Sequence, residues 1–390
     1  MIKIDDIAEC CGCSACYSVC PKDAIRMEAD GMGFLYPQVE MDKCVDCGLC
    51  EKVCAFDDSY DKSLNLPEPQ AFAARHKDYD EVLESTSGAV FVAASDYILS
   101  RGGVVYGAGF EGYYKVVHKR ATNQSERDEL RKSKYVQSDV NGVFRLVRKD
   151  VEAGLEVLFT GTPCQTAGLA SYLGERLRSK VILMDIVCHG VPSPKVWEEY
   201  LKWQEEKNGC KAADVEFRDK RFGWRSHRES FDFAGRYVHS ASYTYLFYKH
   251  YMLRESCGSC PYTNLQRPSD LTIADLWSKA KLCPDFASDN KGCSLLLCNT
   301  EKGRELVENQ LSKDLILASV DINPYLQPNM KSPSVLSPLR HKFAEDFQGR
   351  GVEYVMKKYG DMGWRYKIVS LSLKIYQTIR QTARKILGRA

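Results

Sequence analysis

Cys10-Cys11-Gly12-Cys13-Ser14-Ala15-Cys16-Tyr17-Ser18-Val19-Cys20-Pro21 places thiols at 10, 13, 16 and 20, and the same spacing returns at Cys44, Cys47, Cys50 and Cys54. Each cysteine of the second set lies 34 positions beyond its counterpart, as 44 lies beyond 10, so the segment is an internal duplication. Two copies are too few for a solenoid. Three thiols at three-residue intervals in a tight loop can each take one corner iron of a cubane, and the fourth has to come from further away. Gly12, Ser14, Ala15 and Gly48 are small, which lets backbone amides approach and stabilise negative charge. The competing use of C-x-x-C pairs is a four-cysteine zinc site. A triple run with a trailing fourth cysteine fits zinc poorly.

This run is the signature of bacterial two-cluster ferredoxins, in which the fourth cysteine of each run serves the other cluster. On that pattern Cys10, Cys13, Cys16 and Cys54 hold one 4Fe-4S cluster, and Cys44, Cys47, Cys50 and Cys20 the other. Ala55 stands where the second run would carry proline, and Cys11 lies off the spacing, as a packed or spare thiol would. Ala24 to Met27 and Phe34 to Tyr36 flank Asp30-Gly31-Met32-Gly33, which predicts a hairpin. In so small a module the metal supplies much of the folding energy. Such a module moves single electrons and makes no bonds on its own.

Nine of the 17 cysteines fall between Cys10 and Cys54, in a chain of 390 residues that is 44% hydrophobic and well able to build a core. The start, Met1-Ile2-Lys3-Ile4-Asp5-Asp6, has neither a basic nor an apolar leader region, so the expected location is cytoplasmic. In a reducing compartment clustered cysteines act as metal ligands more often than as disulfides. No apolar run reaches the roughly 18 residues of a membrane span. Lys and Arg total 54 against 52 Asp and Glu, for a net charge of +2, and nothing in that balance calls for a nucleic-acid partner.

The pattern changes after a turn-rich stretch containing Leu64-Asn65-Leu66-Pro67-Glu68-Pro69. The sequence predicts a dicluster module over 1–58, a linker over 59–69, a larger second domain over 70–340 and a helical tail over 341–390. The fold class is α/β: a ferredoxin-like α+β module followed by a domain with a largely parallel sheet core. Gly88 to Leu99, Glu126 to Lys132 and Gly142 to Glu152 read as helices, and Gly103 to Phe110 and Lys115 to His118 as strands. Leu155 to Phe159 and Lys180 to Val187 read as strands that each lead through a turn into a helix, one to Leu173 and the other to about Lys207. Cys164 and Cys188 sit at those two turns, where open parallel sheets place their ligands. Cys257 and Cys260 form a C-x-x-C after a helix read as ending near Arg254. Together these four thiols are enough for a third cluster; a redox dithiol or plain packing fits the spacing equally well. Cys210, Cys283, Cys293 and Cys298 match no ligand position, and the last two read as core residues of a strand.

Ser85-Thr86-Ser87-Gly88, GVVYGAGF from Gly103, Lys132-Ser133-Lys134-Tyr135-Val136-Gln137-Ser138, GTPCQTAGL from Gly161, CHGVPSP from Cys188 and FRDK from Phe217 resemble the beta-subunit family of the deazaflavin (coenzyme F-420) hydrogenases and dehydrogenases. The stretch from Arg254 through Cys257, Cys260, Arg267, Asp270, Asp275 and Trp277 extends the resemblance, which covers roughly Pro69 to Leu311. It implies FAD and one further 4Fe-4S cluster, and it favours Cys164, Cys188, Cys257 and Cys260 as that cluster's ligands. For the flavin it points to Ser85, Thr86, Ser87, Gly88, Ser133, Lys134, Tyr135, Gln137, Ser138, Thr162 and Gln165, small, hydroxylated or cationic groups at turns that can face a phosphate.

His189, beside Cys188, is the candidate catalytic residue at the flavin or cluster; a Cys/His hydrolase pair fails because neighbours in an ordered turn project apart. The expected function is an iron–sulfur flavoprotein oxidoreductase that passes electrons between ferredoxin-type clusters and FAD and exchanges hydride with a deazaflavin-like carrier or other organic substrate. The alternative is a non-catalytic relay subunit feeding a catalytic partner. The expected partners are therefore a redox protein or a small-molecule hydride carrier. From Arg365 to Ala390, apolar residues at helical spacing oppose Lys367, Lys374, Arg380, Arg384, Lys385 and Arg389, a basic amphipathic helix suited to a peripheral membrane or partner contact, or to packing on its own domain.

Overall fold

The computed structural model describes residues 1–56, 62–140, 142–277 and 289–360. The chain opens with the hairpin the sequence predicts, β1 (Ile25–Ala29) and β2 (Leu35–Val39), antiparallel with Ile25 opposite Val39. Its turn is tied by the Asp30 carboxylate, which accepts from the Met32 and Phe34 amides at 2.9 and 2.8 Å. The short helices Ala15–Val19 and Leu49–Lys52 each start beyond a left-handed residue, Ser14 (φ 61°) and Gly48 (φ 71°).

β3 (Asn65–His76), β4 (Val104–Glu111), β5 (Lys115–Ala121), β6 (Val157–Gly161) and β7 (Val181–Ile186) belong to one large sheet. β8 (Asp214–Glu216), β9 (Glu229–Phe233) and β10 (Arg236–Ser240) leave it for a small antiparallel sheet, and β11 (Leu271–Asp275), β12 (Ser294–Thr300) and β13 (Leu315–Ser319) return. The order across the large sheet is β13-β3-β12-β11-β7-β6-β4-β5, with β11, β7, β6 and β4 a parallel run at its centre and antiparallel strands on both sides.

Alternation along these strands decides the layers. Val104, Tyr106, Val157, Phe159, Val181 and Leu183 face the helices Val143–Glu152 and Pro163–Arg178. Val105, Leu158, Met184 and Leu271 face the helices Val90–Ser100 and Glu301–Asn309. The cysteine module lies against the first of these helix layers, with Cys11, Cys13, Ala15 and Cys16 in the same buried cluster as Phe144 and Leu169. On its other side, Met32, Phe34 and Tyr36 join the core of the helix Pro194–Asn208, the small sheet and the helix Arg340–Tyr359. Gly168 permits this closeness: a Cβ there would stand 2.7 Å from Cys13 Sγ.

Several boundaries depart from the sequence reading. β3 begins at Asn65, inside the stretch read as linker, and Pro67 and Pro69 fall opposite a register shift between Cys298 and Thr300, where proline costs the ladder least. The helix before Cys257 ends at Tyr248 because His250 adopts φ 58°, and the helix expected to reach Lys132 ends at Asp128, short of Lys132 at φ 65°. Helix Arg340–Tyr359 breaks at Gly351 and buries Phe343, Phe347, Val355 and Met356. Cys283 and the basic helix read from Arg365 to Ala390 lie outside the described residues.

Candidate functional site

The thiols gather in three recesses. Cys10, Cys13, Cys16 and Cys54 line the first, of about 350 Å³, with Ile2, Ile4, Met27, Pro37 and Phe56 as walls. Burial pushes the Cys10 and Cys16 thiols up. They ionise only with a compensating cation, which is what a metal centre supplies.

Cys20, Cys44, Cys47 and Cys50 line the second recess, of about 380 Å³, together with Pro21, Val45 and Gly48. The Ile2 and Ala24 amides point at Cys50 Sγ and Cys20 Sγ at 3.1 and 3.3 Å. The fourth thiol of each recess thus comes from the other copy of the duplication.

The third recess, of about 420 Å³, contains Cys164, Cys188, Cys257 and Cys260 at the carboxyl ends of β6 and β7. Gly190 N–H and Val191 N–H donate to Cys188 Sγ and Cys257 Sγ, both at 3.4 Å, and the Thr162 hydroxyl lies 3.2 Å from Cys164 Sγ. Burial raises Cys257 to about 11 and Cys260 to about 12, whereas Cys164 falls to about 7, chiefly through a hydrogen bond from Cys11. The donor set is soft, buried and rich in amides aimed at sulfur, and it suits a thiolate-ligated cluster. Cys11, read from sequence as spare, is a fifth thiol here and also lines the first recess. Only the three-dimensional packing of the two segments reveals that position.

Two of the residues with an expected flavin role stand instead beside the thiols. Gln137 Nε2 donates to the Cys11 carbonyl at 2.9 Å, and Gln137 Oε1 accepts from Arg254 at 3.0 Å. Thr162 caps the helix that carries Cys164, paired with Gln165. Gln165 also donates to Ser138 Oγ at 3.0 Å, and Ser138 contacts His118 Nδ1 at 2.9 Å. Ser87 Oγ donates to the Cys293 carbonyl and Gly88 N–H to Ser294 Oγ, so both tie the loop to β12.

The remaining candidates converge with Lys220, the last residue of the FRDK string, to which the sequence reading gives no flavin role. Lys134 is partly buried, its Nζ donating to the carbonyls of Glu129 and Arg131, and desolvation, with Lys132 and Lys119 nearby, lowers it to about 7. Lys220 donates to the carbonyls of Val82 and Ser85, and desolvation, with Arg218 and Arg75 nearby, lowers it to about 8. The Ser133 amide donates to Thr86 Oγ at 3.1 Å, and Lys132 pairs with Glu216, which joins the three loops. Tyr135 stacks on Phe247, and Trp224 stacks on Trp277 with ring centres 5.2 Å apart beside Arg218. Among the described residues neither Lys134 nor Lys220 donates to a carboxylate. Two desolvated lysines that make no direct ion pair among the described residues, next to aromatic faces, fit an anionic aromatic ligand such as a flavin nucleotide.

His189 borders the third recess, but both its ring nitrogens are engaged, Nδ1 with Asn329 Oδ1 at 3.1 Å and Nε2 with His250 Nε2 at 2.7 Å. Burial, then His250, lowers it to about 4, so the ring is neutral near pH 7.

Residues 154–321 match the family defined by the C terminus of the coenzyme F420 hydrogenase/dehydrogenase beta subunit, and residues 9–57 match the 4Fe-4S dicluster domain. The chain thus joins a 4Fe-4S dicluster domain to a region similar to the C terminus of the coenzyme F420 hydrogenase/dehydrogenase beta subunit. It carries the dicluster domain at its front and is an iron–sulfur protein similar to an oxidoreductase family. Over 82 residues, 21% of this chain, it is 35% identical to a ferredoxin of Saccharopolyspora erythraea and 34% identical to one of Mycolicibacterium smegmatis, covering 73% of each. A chain of the F420-reducing nickel–iron hydrogenase complex of Methanosarcina barkeri aligns over 74% of this chain and 91% of its own length, with 15% identity and a TM-score of 0.47. Among the described residues no helix is long and apolar enough to cross a membrane.

Proposed function

We propose that this chain is a cytoplasmic iron–sulfur flavoprotein oxidoreductase, with ferredoxin-type clusters held by Cys10, Cys13, Cys16 and Cys54 and by Cys44, Cys47, Cys50 and Cys20, a third held by Cys164, Cys188, Cys257 and Cys260, and FAD near Lys134. The observation that carries this reading is the set of three recesses, each lined by at least four thiols drawn from distant parts of the sequence. When bound, the clusters exchange single electrons and the flavin exchanges a hydride with a deazaflavin-like carrier or other organic substrate. The protein's own part is to bury the thiols, direct amides at sulfur, and set Lys134 and Lys220 where an anion relieves their desolvation. A redox protein is the natural partner for the exposed second recess.

Relay without substrate chemistry of its own is the second reading. It is favoured by His189, whose two nitrogens are already taken and which is neutral at pH 7.

Anaerobic reconstitution tests the proposal. The full chain should take up about twelve irons, four for each of three cubanes, and the Cys257→Ser, Cys260→Ser double variant should lose about four. Saturation of the wild type near eight irons would remove the third cluster. Lys134→Ala should weaken FAD retention by about 1.5–3 kcal/mol, the worth of a hydrogen bond to a charged group. Unchanged FAD affinity would remove Lys134 from the flavin site.

A further inference from the structure

Arg254 stands between the first and third recesses. It is fully buried, and its side chain lines the third recess while its hydrogen bonds reach the first. Nε donates to the Cys10 carbonyl at 2.7 Å, one Nη to Gln137 Oε1 at 3.0 Å, and the other Nη to the Leu35 carbonyl at 2.9 Å, with Cys10 Sγ at 3.6 Å. The guanidinium lies over the Tyr36 ring, 4.1 Å from its centre. Among the described residues none of its hydrogen-bond partners is a carboxylate. A buried cation without a carboxylate is costly unless some other negative charge faces it. The groups that face it here are thiols: one Nη stands 3.6 Å from Cys10 Sγ, and the side chain lines the recess of Cys164, Cys188, Cys257 and Cys260.

The duplication supplies an internal control. Gly12, at φ +70°, leaves room for the guanidinium, since a Cβ there would stand 2.8 Å from Nη1. The corresponding position in the second copy is Asp46, and the place of Cys11 is taken by Val45, both exposed. The charged side chains lining the second recess, Lys22 and Asp46, are solvated.

We propose that Arg254 is a positioning residue for electron transfer: its buried guanidinium raises the reduction potential of the cluster held by Cys10, Cys13, Cys16 and Cys54 and keeps that cluster reducible despite its burial. This rests on the cluster assignment made above. One-electron reduction adds a negative charge to an already anionic centre, so dehydration disfavours it and a cation beside a ligand sulfur favours it. Arg254 offsets the cost at the inner position, where water cannot, while the outer position needs no such residue.

The test is an EPR-monitored redox titration of the reconstituted full chain, wild type against Arg254→Gln and Arg254→Lys. Wild-type iron is counted first. A wild type that does not load clusters overturns the functional reading itself, independently of Arg254. With loading established, Arg254→Gln should lower one midpoint by about 59 mV or more, a tenfold loss in a one-electron equilibrium. The other midpoints should move less, and Arg254→Lys should restore part of the shift. Full iron content with every midpoint unchanged in Arg254→Gln overturns the proposal. Should Arg254→Gln fail to assemble, wild type labelled with nitrogen-15 in its arginine guanidinium groups decides the matter. A nitrogen-15 coupling to one reduced cluster in pulsed EPR is expected, and its absence overturns the proposal.

Discussion

The two copies of the cysteine segment share their spacing and differ in almost everything around it. In the first, Cys11, Cys13 and Cys16 are buried, roofed by the helix Pro163–Arg178 and backed by Arg254. In the second, Cys47 is exposed and Val45 and Leu49 stand 59% and 40% open to solvent. Ligand spacing therefore says what a segment can bind, while the surroundings decide which copy faces inward and which faces solvent. The inner copy is part of the large domain's core, through Phe34 and Tyr36 as well as its thiols.

The largest expected contrast is between Cys13→Ser and Cys47→Ser. Each should cost about four irons. Cys13→Ser should also destabilise the whole chain, by about 1–3 kcal/mol for a buried hydroxyl left without its proper partner, measured by denaturant unfolding; equal stability losses in the two variants would erase the inner–outer distinction. Next is Gly12→Ala against Gly48→Ala. Both residues have positive φ, 70° and 71°, and both should incur the left-handed penalty of about 1–2 kcal/mol. At Gly12 the new Cβ also meets Arg254 Nη1 at 2.8 Å and the Leu35 carbonyl at 3.1 Å, whereas at Gly48 the nearest atom is 3.9 Å away. The Gly12 variant should therefore be the less stable of the two, and indistinguishable unfolding midpoints would argue against the close approach of Arg254. The smallest effect is kinetic. A chelator should strip iron from the wild type in two phases, with the faster one absent in Cys47→Ser and retained in Cys13→Ser. A single phase in the wild type would mean the two recesses are equally accessible.

Local chemistry is readable from the sequence because spacing alone encodes it. The hairpin, the two strand-turn-helix units bearing Cys164 and Cys188, and the α/β class all follow from periodicity and turn residues. What the sequence conceals depends on contacts between distant segments. Cys11 looks spare in a linear reading, since its significance lies in facing Cys164, more than 150 residues away. Arg254 is one arginine among many until the hairpin closes over it. Gln137 looks like a polar turn residue, yet it bridges the Cys11 carbonyl and Arg254. Strand β3 is hidden because Pro67 and Pro69 read as linker, and only a register shift in its neighbour accommodates them.

That strand has a consequence for the order in which the molecule is made. β3 follows directly on the cysteine module, but its partners are β12 and β13, whose residues lie more than 200 positions later. On a growing chain β3 therefore waits unpaired while the duplicated segment is already complete. The inner recess is also open at that stage, since Gly168 and Arg254, which close it, have yet to be added. Iron delivered early meets exposed thiols at both copies; delivered late, it meets a finished wall at one of them. The wall of the inner recess is thus built from residues made long after its thiols, while the outer recess keeps an exposed thiol, Cys47, in the finished chain.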